Sequence, residues 1–276
     1  MGLAGDVKLR RWLPLSLAAS LAAMPAHGET CATEAEALAV SNAALAKVQG
    51  GAAAAQAALE KLDAFRRSTF DKYVYSEVYG YVSFLAEQAR RTQDERLRTL
   101  YTRAAQDQFI RLIGRDLLFR QGWAEGVNPD VAEALMPRLA AEGCRIDAEN
   151  LAWLKADLKQ HGWPKKSVAG ENADSAAWLI TQHAVTDHVF MQEVLSLLEP
   201  LVAQGETEKG TYALLLDRVA YHDGRPQRYG SQGVCSAPHK WSPFPIDNPS
   251  DVDKRRSEMG LPPMAEYVTE SSKSCP

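Results

Sequence analysis

The feature of this sequence that most constrains its fold is the helical spacing of apolar residues over much of its length. Between residues 70 and 91 apolar side chains recur three and four positions apart, and a similar run extends from Asp94 to Arg120. Such spacing places the apolar side chains on one face of an α-helix. The first run consists of Phe70, Tyr73, Val74, Val78, Tyr81, Val82, Leu85 and Ala89. The alanine-rich segment from Thr33 to Asp63 predicts one or two further helices.

Helix-capping and helix-breaking residues divide the middle of the chain into shorter helices. Asn128 followed by Pro129 predicts a helix start, and we expect that helix to end near Gly143. The next helix is expected between Asp147 and Gly162, because glycine commonly follows the last turn of a helix. Three further helices are expected around residues 172–181, 190–205 and 211–222.

The composition changes after the last of these helices. Residues 225–249 contain five prolines, which disfavour helix and predict turns and extended segments. We expect a short hairpin whose strands include Gln227-Arg228-Tyr229 and Lys240-Trp241. The predicted fold is mostly α, a multi-helix orthogonal bundle with a small irregular β-hairpin near the C-terminus. We expect residues 29–94 to form an N-terminal helical extension and residues 95–276 to form the main helical domain.

The first 28 residues have the features of a secretory signal peptide. Basic residues near the start precede an apolar run from Trp12 to Met24, which is shorter than the roughly 20 residues that a membrane-spanning helix needs. The small residues Ala26 and Gly28 stand before the expected cleavage site. We predict a periplasmic or secreted protein with no integral membrane span in the mature chain. An uncleaved N-terminal anchor is the alternative.

The cysteine content agrees with export. The four cysteines, Cys31, Cys144, Cys235 and Cys275, all follow the predicted leader, and an even number of cysteines suits an oxidising compartment. We predict two structural disulfides. The spacing leaves three pairings open, of which we favour one that includes Cys235–Cys275. The formal net charge of -4 provides no basic field, so we predict no nucleic-acid partner.

Familiar catalytic signatures do not occur in this sequence. It has no P-loop, no dinucleotide-binding glycine fingerprint and no H-E-x-x-H zinc motif, and we predict no cofactor and no metal. Ser231 lies in Tyr-Gly-Ser-Gln-Gly, which matches only half of a nucleophile elbow. The proline-rich chain after it does not predict the helix that such an elbow requires, so we interpret Ser231 as a turn residue.

His183 is the candidate catalytic residue. Asp187 lies four positions later, so the two side chains would share a face if the helix continued. A carboxylate beside a histidine orients the imidazole for general acid or base catalysis. Two alternatives stay open. The pair binds a metal together with His222 and Asp223, or the histidine only makes structural hydrogen bonds.

Two other polar groups are candidates for ligand binding. Arg218, Arg225, Gln227, Tyr229 and Gln232 fall within fifteen residues and combine guanidinium, amide and phenol groups suited to a polar, anionic or peptide ligand. In the alternative, Asp217 and Arg218 form helix-surface or interhelix pairs, and the amide of Gln227 bonds to loop backbone.

The second group lies in the helix that starts near Asp94. Asp107, Gln108 and Arg111 share one polar face, and Asp107 and Arg111 have the spacing of an intrahelical ion pair. In the functional alternative, this face points into the same cleft as His183. The run Lys254-Arg255-Arg256 is expected to be solvated or paired with nearby acids.

Seven short patterns together resemble one protein family. They are Asp107-Gln-x-x-Arg111, Gly162-Trp-Pro164, Trp178-Leu-Ile-x-Gln-His183-Ala, Tyr212-Ala-Leu-Leu-x-Asp217-Arg218, Gly224-Arg-Pro-Gln-x-Tyr229-Gly-Ser-Gln232, Asp253-x-Arg-Arg256 and Gly260-Leu-x-Pro263. Over residues 95–268 the chain resembles a widespread bacterial family known only as a domain of unknown function. The resemblance implies a shared fold unit and no established activity.

The resemblance also implies which polar positions the family pattern carries. They are Asp107, Gln108, Arg111, His183, Arg218, Gln227, Tyr229 and Gln232. The chain departs from the pattern at one place, because members often have aspartate directly after Gln-His-Ala and this chain has Val185. The departure makes a role for a neighbouring carboxylate beside His183 uncertain in this chain.

Three functional hypotheses follow from the sequence. The first is an exported hydrolase or transferase that acts on a polar peptide or glycan, with His183 as the acid or base. The second is a module that binds a small polar or peptide ligand without chemistry. The third is a structural protein in which the polar residues form a buried network that holds the helices together. Oligomeric state is not predicted.

Overall fold

The computed structural model describes residues 31–71 and 79–275 of the chain. Within them lie eleven α-helices and one two-stranded antiparallel sheet, so the mostly helical fold with a small hairpin is confirmed. The helices are α1 Glu34–Leu45, α2 Gly51–Asp71, α3 Gly80–Arg91, α4 Glu95–Phe119, α5 Pro129–His161, α6 Lys166–Ala169, α7 Glu171–Gln182, α8 His188–Ala203, α9 Lys209–His222, α10 Val252–Glu258 and α11 Met264–Ser272. The strands are β1 Gly233–Ala237 and β2 Lys240–Pro243.

The described chain divides into two compact units, one ending at Leu215 and the other beginning at Leu216. In the larger unit, α4 packs against α3, α5 and α7, and α1 packs against α5. Fully buried aliphatic side chains fill the space between these helices, among them Leu85, Ile113 and Leu179. A disulfide between Cys31 and Cys144 ties the chain before α1 to α5.

Helix α4 has the bounds that the sequence predicted. It begins directly after Asp94, whose carboxylate accepts a hydrogen bond from the backbone N–H of Leu97 at 3.1 Å. It ends before Arg120, which takes a left-handed conformation with φ of 51°. An N-terminal cap and a conformational break therefore define a helix of 25 residues.

Two predicted helix boundaries were wrong. Helix α5 continues through Gly143 to His161, because one glycine costs a helix only about 1 kcal/mol relative to alanine and tertiary packing outweighs that cost. Gly143 is buried within it. The helix predicted over residues 70–91 does not begin at Phe70, which belongs to α2, whereas α3 begins at Gly80. Tyr73, Val74 and Val78 of that prediction, like the predicted leader, lie outside the described residues.

The smaller unit contains the hairpin, α10 and α11. Strands β1 and β2 pair with Val234 opposite Ser242 and Cys235 opposite Trp241. The strand predicted at Gln227-Arg228-Tyr229 was wrong: Gln227 forms only an isolated bridge with Ile246. The backbone N–H groups of Arg228 and Tyr229 donate to a buried carboxylate instead of to a neighbouring strand.

A second disulfide closes the smaller unit. Cys235 is bonded to Cys275, so the two predicted disulfides and the favoured pairing are confirmed. The disulfide lies in a small core with Trp241 and Tyr267, whose rings meet edge to face with centroids 5.6 Å apart. Every cysteine of the described chain is in a disulfide.

Candidate functional site

The candidate site of the larger unit is built on the middle of α4. This part of the helix is buried all round, so its polar side chains must find partners inside the protein. Asp107 is 0% exposed, Gln108 is 1% exposed and Arg111 is 8% exposed. The predicted ion pair is present, with Arg111 Nη1 lying 3.2 Å from Asp107 Oδ1.

His183 meets this polar face. It stands at the C-terminal cap of α7, and its Nδ1 lies 2.9 Å from both carboxylate oxygens of Asp107. An ionised carboxylate only accepts hydrogen bonds, so the Nδ1–H of His183 donates to Asp107 and Nε2 becomes the basic nitrogen of the neutral ring. The imidazole is 4% exposed.

The carboxylate partner that we predicted for His183 was wrong. Helix α7 ends at Gln182, so Asp187 is not one helical turn away. Asp187 instead caps the start of α8 through the N–H of Phe190 at 2.9 Å and pairs with Lys155 at 2.6 Å. The carboxylate at His183 comes from Asp107, 76 residues earlier in the chain.

Neighbouring groups hold Asp107 in its charged form. Burial opposes its ionisation, but Arg111, His183 and the amide of Gln108 outweigh burial and lower the pKa of Asp107. The Gln108 amide donates to Asp107 Oδ2 at 2.7 Å. The carboxylate is therefore fixed both in position and in charge.

Arg111 joins this pair to a second, partly buried acid. Its Nη2 donates to both carboxylate oxygens of Asp147 on α5, at 2.9 and 3.0 Å. Burial and the nearby charge of Asp107 raise the pKa of Asp147 to about 6, although Arg111 acts in the opposite direction. Imidazole, carboxylate, guanidinium and carboxylate thus form one chain of polar groups from His183, which is buried, to Asp147, which is partly buried.

The other predicted residues belong to the smaller unit, and a buried aspartate organises them. Asp217 is 0% exposed and accepts three backbone hydrogen bonds, from Arg228 at 2.8 Å, Tyr229 at 2.9 Å and Ser231 at 2.8 Å. Burial raises its pKa even though these N–H groups favour the charged form. The sequence analysis treated Asp217 only as a member of surface or interhelix pairs and missed this role. Its position one residue before Arg218 in a motif was the signal available.

The amide of Gln227 is used entirely within the loop. Its Nε2 donates to the carbonyls of Gln232 and Phe244 at 2.8 and 3.1 Å, and its Oε1 accepts from the Gln232 N–H. The Gln232 side chain donates to the Ser231 hydroxyl at 3.1 Å. Gln227 thus has the structural role that the sequence analysis kept as an alternative.

The arginines of the smaller unit differ in their surroundings. Arg218 is buried, whereas Arg225 is exposed and pairs with Asp223 at 2.6 Å. Arg256, expected at the surface, is fully buried: its Nη1 donates to the Tyr229 carbonyl at 2.6 Å and its guanidinium lies 4.6 Å from the Tyr267 ring centre. Sequence reasoning missed Arg256 because a run of three basic residues is ordinarily solvated.

A separate groove of about 230 Å³ lies between the start of α4 and the end of α5. Two of the residues that line it form an ion pair, in which the Arg96 guanidinium donates to both carboxylate oxygens of Asp157. The groove lies apart from the His183–Asp107 pair, because Glu95 precedes Asp107 by about 18 Å of helix. Lining residues include Glu95, Arg96, Thr99, Trp153, Asp157 and His161.

Two features are absent from the described residues. No group of three or more His, Cys, Asp or Glu side chains in this part of the chain is arranged to hold a metal ion. No helix within residues 31–71 and 79–275 is long and apolar enough to cross a bilayer.

The fold and its polar groups define a mostly helical protein with two features. One is the buried pair of His183 and Asp107, and the other is a loop whose backbone N–H groups donate to Asp217. By comparison with known families, this chain belongs to a family of unknown function, DUF6624, whose profile matches residues 103–273. That range includes both His183 and Asp107. No curated protein and no solved structure matches the chain.

Proposed function

We propose that this protein is an exported hydrolase or transferase for polar peptide or glycan material, in which His183 acts as the general acid and base. The observation that carries the proposal is the 2.9 Å contact between His183 Nδ1 and the Asp107 carboxylate. A histidine held in this way has Nε2 fixed as its basic nitrogen, and such a pair is a recurrent component of hydrolytic sites.

The surrounding residues support that assignment. When His183 takes a proton on Nε2, the Asp107 carboxylate stabilises the resulting imidazolium. Arg111 and Gln108 keep Asp107 ionised and prevent its rotation, because they bind its two oxygens separately. We assign Asp107 as the residue that orients the base, and Arg111 and Gln108 as residues that position Asp107.

We predict that the loop after α9 in the smaller unit binds the ligand. Gln227 uses its amide to shape the loop, so we assign it a positioning role. We keep Arg218, Arg225, Tyr229 and Gln232 as the predicted binding residues for a polar or anionic ligand. Their guanidinium, phenol and amide groups suit such a ligand.

Export is part of the proposal. The leader-like composition of residues 1–28 supports it, and two disulfides in the described chain are compatible with an oxidising compartment. The division into an extension over residues 29–94 and a main domain over residues 95–276 also stays a prediction.

A structural role for the polar network is the second candidate. It is favoured by the burial of His183 and Asp107, since a buried and fully paired network also fixes helix packing. The two candidates predict different results when His183 is replaced by a neutral side chain of similar volume. The catalytic role predicts a loss of activity, and the structural role predicts a loss of stability.

The test uses His183→Gln and Asp107→Asn in the mature protein. Activity is measured on p-nitrophenyl esters, p-nitroanilide peptides and p-nitrophenyl glycosides, with His239→Asn as a control because His239 is exposed. We expect a loss of at least about 100-fold in kcat/KM for both variants, the usual contribution of acid–base catalysis, and no loss for the control. Wild-type inactivity on all substrates, together with a large drop in melting temperature for both variants, would instead support the structural role.

A further inference from the structure

The groove between the start of α4 and the end of α5 is lined by one face of each helix. Arg96 and Thr99 lie three positions apart on α4, and Trp153, Asp157 and Gln160 follow one another at spacings of four and three on α5. Positions three and four apart share a helix face, so these side chains border the same space. The volume of about 230 Å³ is below the roughly 300–1,000 Å³ of pockets for drug-sized ligands, so it suits one small molecule or one unit of a larger one.

An arginine fixes the polar side of the groove. Arg96 donates to both oxygens of Asp157 through Nε, to Asp157 Oδ2 through Nη2 at 2.9 Å, and to the Gly162 carbonyl through Nη2 at 2.7 Å. These bonds join α4 to the end of α5 and hold the carboxylate in place, so the polar side is organised before a ligand arrives. A carboxylate has about four acceptor positions, and Asp157 therefore keeps one for a ligand.

The other side of the groove is aromatic. Trp153 is half-buried and borders the groove with its indole. The guanidinium carbon of Arg103 lies 5.4 Å from the centre of the Trp153 ring, and Arg103 Nη1 donates to Asn150 Oδ1 at 3.1 Å. Asn150 is itself buried. The indole is thus packed against a guanidinium that a buried side chain holds, and it forms a fixed aromatic wall.

The charges around the groove balance. Glu95 and Asp157 are negative, and Arg96 and the neighbouring Arg103 are positive. An anion would gain little, because the arginine that lines the groove is already paired with Asp157. An organic cation would compete with the guanidinium that already lies over the Trp153 ring. The groove therefore favours a neutral ligand.

We propose that this groove binds one neutral sugar unit of a glycan. A sugar ring has a face of C–H groups, which packs on an aromatic ring such as that of Trp153, and an edge of hydroxyl groups. Hydroxyls both donate and accept, so they suit the Asp157 carboxylate and the amide of Gln160. A wholly apolar ligand would leave these polar groups without partners.

The sugar site is separate from the proposed catalytic pair. Glu95 at the groove precedes Asp107 by about 18 Å of helix, and neither Asp107 nor His183 lines the groove. The inference thus goes beyond the proposed function and does not depend on it.

The first test follows the indole N–H signals of the ¹⁵N-labelled mature protein by NMR. Trp153→Phe identifies the Trp153 signal, and Trp163→Phe identifies the control signal of a buried indole that donates to Asp174 at 2.6 Å. The neutral saccharide probes are maltotriose, cellotriose and triacetylchitotriose. Inorganic phosphate, choline and N-acetylalanine methylamide represent anions, cations and peptides. We expect at least one saccharide to shift the Trp153 signal saturably, while the Trp163 signal stays in place and the other three probes move neither.

Variants locate the binding, with calorimetry as the readout. We expect Trp153→Ala to raise the Kd of the saccharide at least about tenfold, because the aromatic wall is lost. Gln160→Ala removes one exposed amide, which leaves the fold intact, and should raise the Kd about threefold or more. Gln204→Ala, an equally exposed change away from the groove, is the matched control and should bind as the wild type does.

Four results would overturn the proposal. The first is a Trp153 signal that no saccharide moves up to its solubility limit. The second is a saturable shift of that signal by phosphate, choline or the peptide amide instead. The third is a saccharide Kd that is the same in Trp153→Ala and Gln160→Ala as in the wild type. The fourth is loss of saccharide binding in His183→Gln at an unchanged melting temperature, which would place the sugar at His183.

Discussion

At the scale of single residues, the polar network at His183 is organised by one guanidinium between two acids. Asp107 and Asp147 share one guanidinium, that of Arg111, and so the two acids carry more negative charge than it neutralises. Burial and, after it, the charge of Asp107 raise the pKa of Asp147 to about 6, whereas Arg111 and His183 lower the pKa of Asp107. The acid that touches His183 is therefore the one that stays ionised, which a base-orienting residue requires.

This division of charge predicts a pH dependence of stability. A carboxyl group whose pKa is raised by folding favours the folded state below its unfolded pKa near 4, and that contribution is lost as the pH rises through about 6. Asp147→Asn should therefore gain stability relative to the wild type between pH 4 and pH 7, by on the order of 3 kcal/mol for about two pKa units. Urea denaturation at several pH values measures the difference. A difference in stability between wild type and variant that stays constant over this range would contradict the prediction.

At the scale of elements, the loop after α9 owes its shape to one carboxylate. The Asp217 oxygens satisfy three backbone N–H groups, and Gly230 completes the turn with a φ of 70°. A side chain at Gly230 would bring its Cβ within 2.5 Å of Ile246. Only glycine fits this backbone conformation and this close approach without strain.

Removing the Asp217 carboxylate should therefore unfold the loop. Asp217→Ala leaves three backbone N–H groups without this acceptor, two of them buried, and at about 1 kcal/mol for each we expect a loss of about 3 kcal/mol. Asp217→Asn keeps one acceptor oxygen and should lose less. Exposed Glu266→Gln on α11 is the control. Chemical denaturation gives the order of stabilities, and equal stability of Asp217→Ala and the control would show that the loop does not depend on this carboxylate.

The elements also show what sequence could and could not predict. The bounds of α4 follow from local chemistry, namely apolar spacing and the Asp94 cap, and were predicted. The pairing of His183 with Asp107 joins residues 76 positions apart, so local spacing favoured Asp187 instead. Asp217 and Arg256 have ordinary surface-like sequence contexts, and only tertiary packing makes them buried. The candidate residues were thus named in advance, while most of their partners were not.

At the scale of the whole molecule, the two disulfides constrain the unfolded chain to different extents. Cys31–Cys144 spans 113 residues and Cys235–Cys275 spans 40. Loop-closure entropy gives about 5 kcal/mol for the first and about 4 kcal/mol for the second. We expect the Cys31→Ser, Cys144→Ser double variant to lose at least as much stability as the Cys235→Ser, Cys275→Ser double variant. Thermal denaturation of both tests this, and full stability after removal of the longer link would contradict it.

The most direct measurement of the central claim is the position of the ring proton on His183. Long-range ¹H–¹⁵N NMR distinguishes a proton on Nδ1 from one on Nε2 in the neutral ring. The account predicts the proton on Nδ1 in the wild type, because ionised Asp107 accepts it, and a shift toward Nε2 in Asp107→Asn, whose amide donates to the ring. A wild-type His183 protonated on Nε2 would contradict the account, since the nitrogen left basic would then face Asp107.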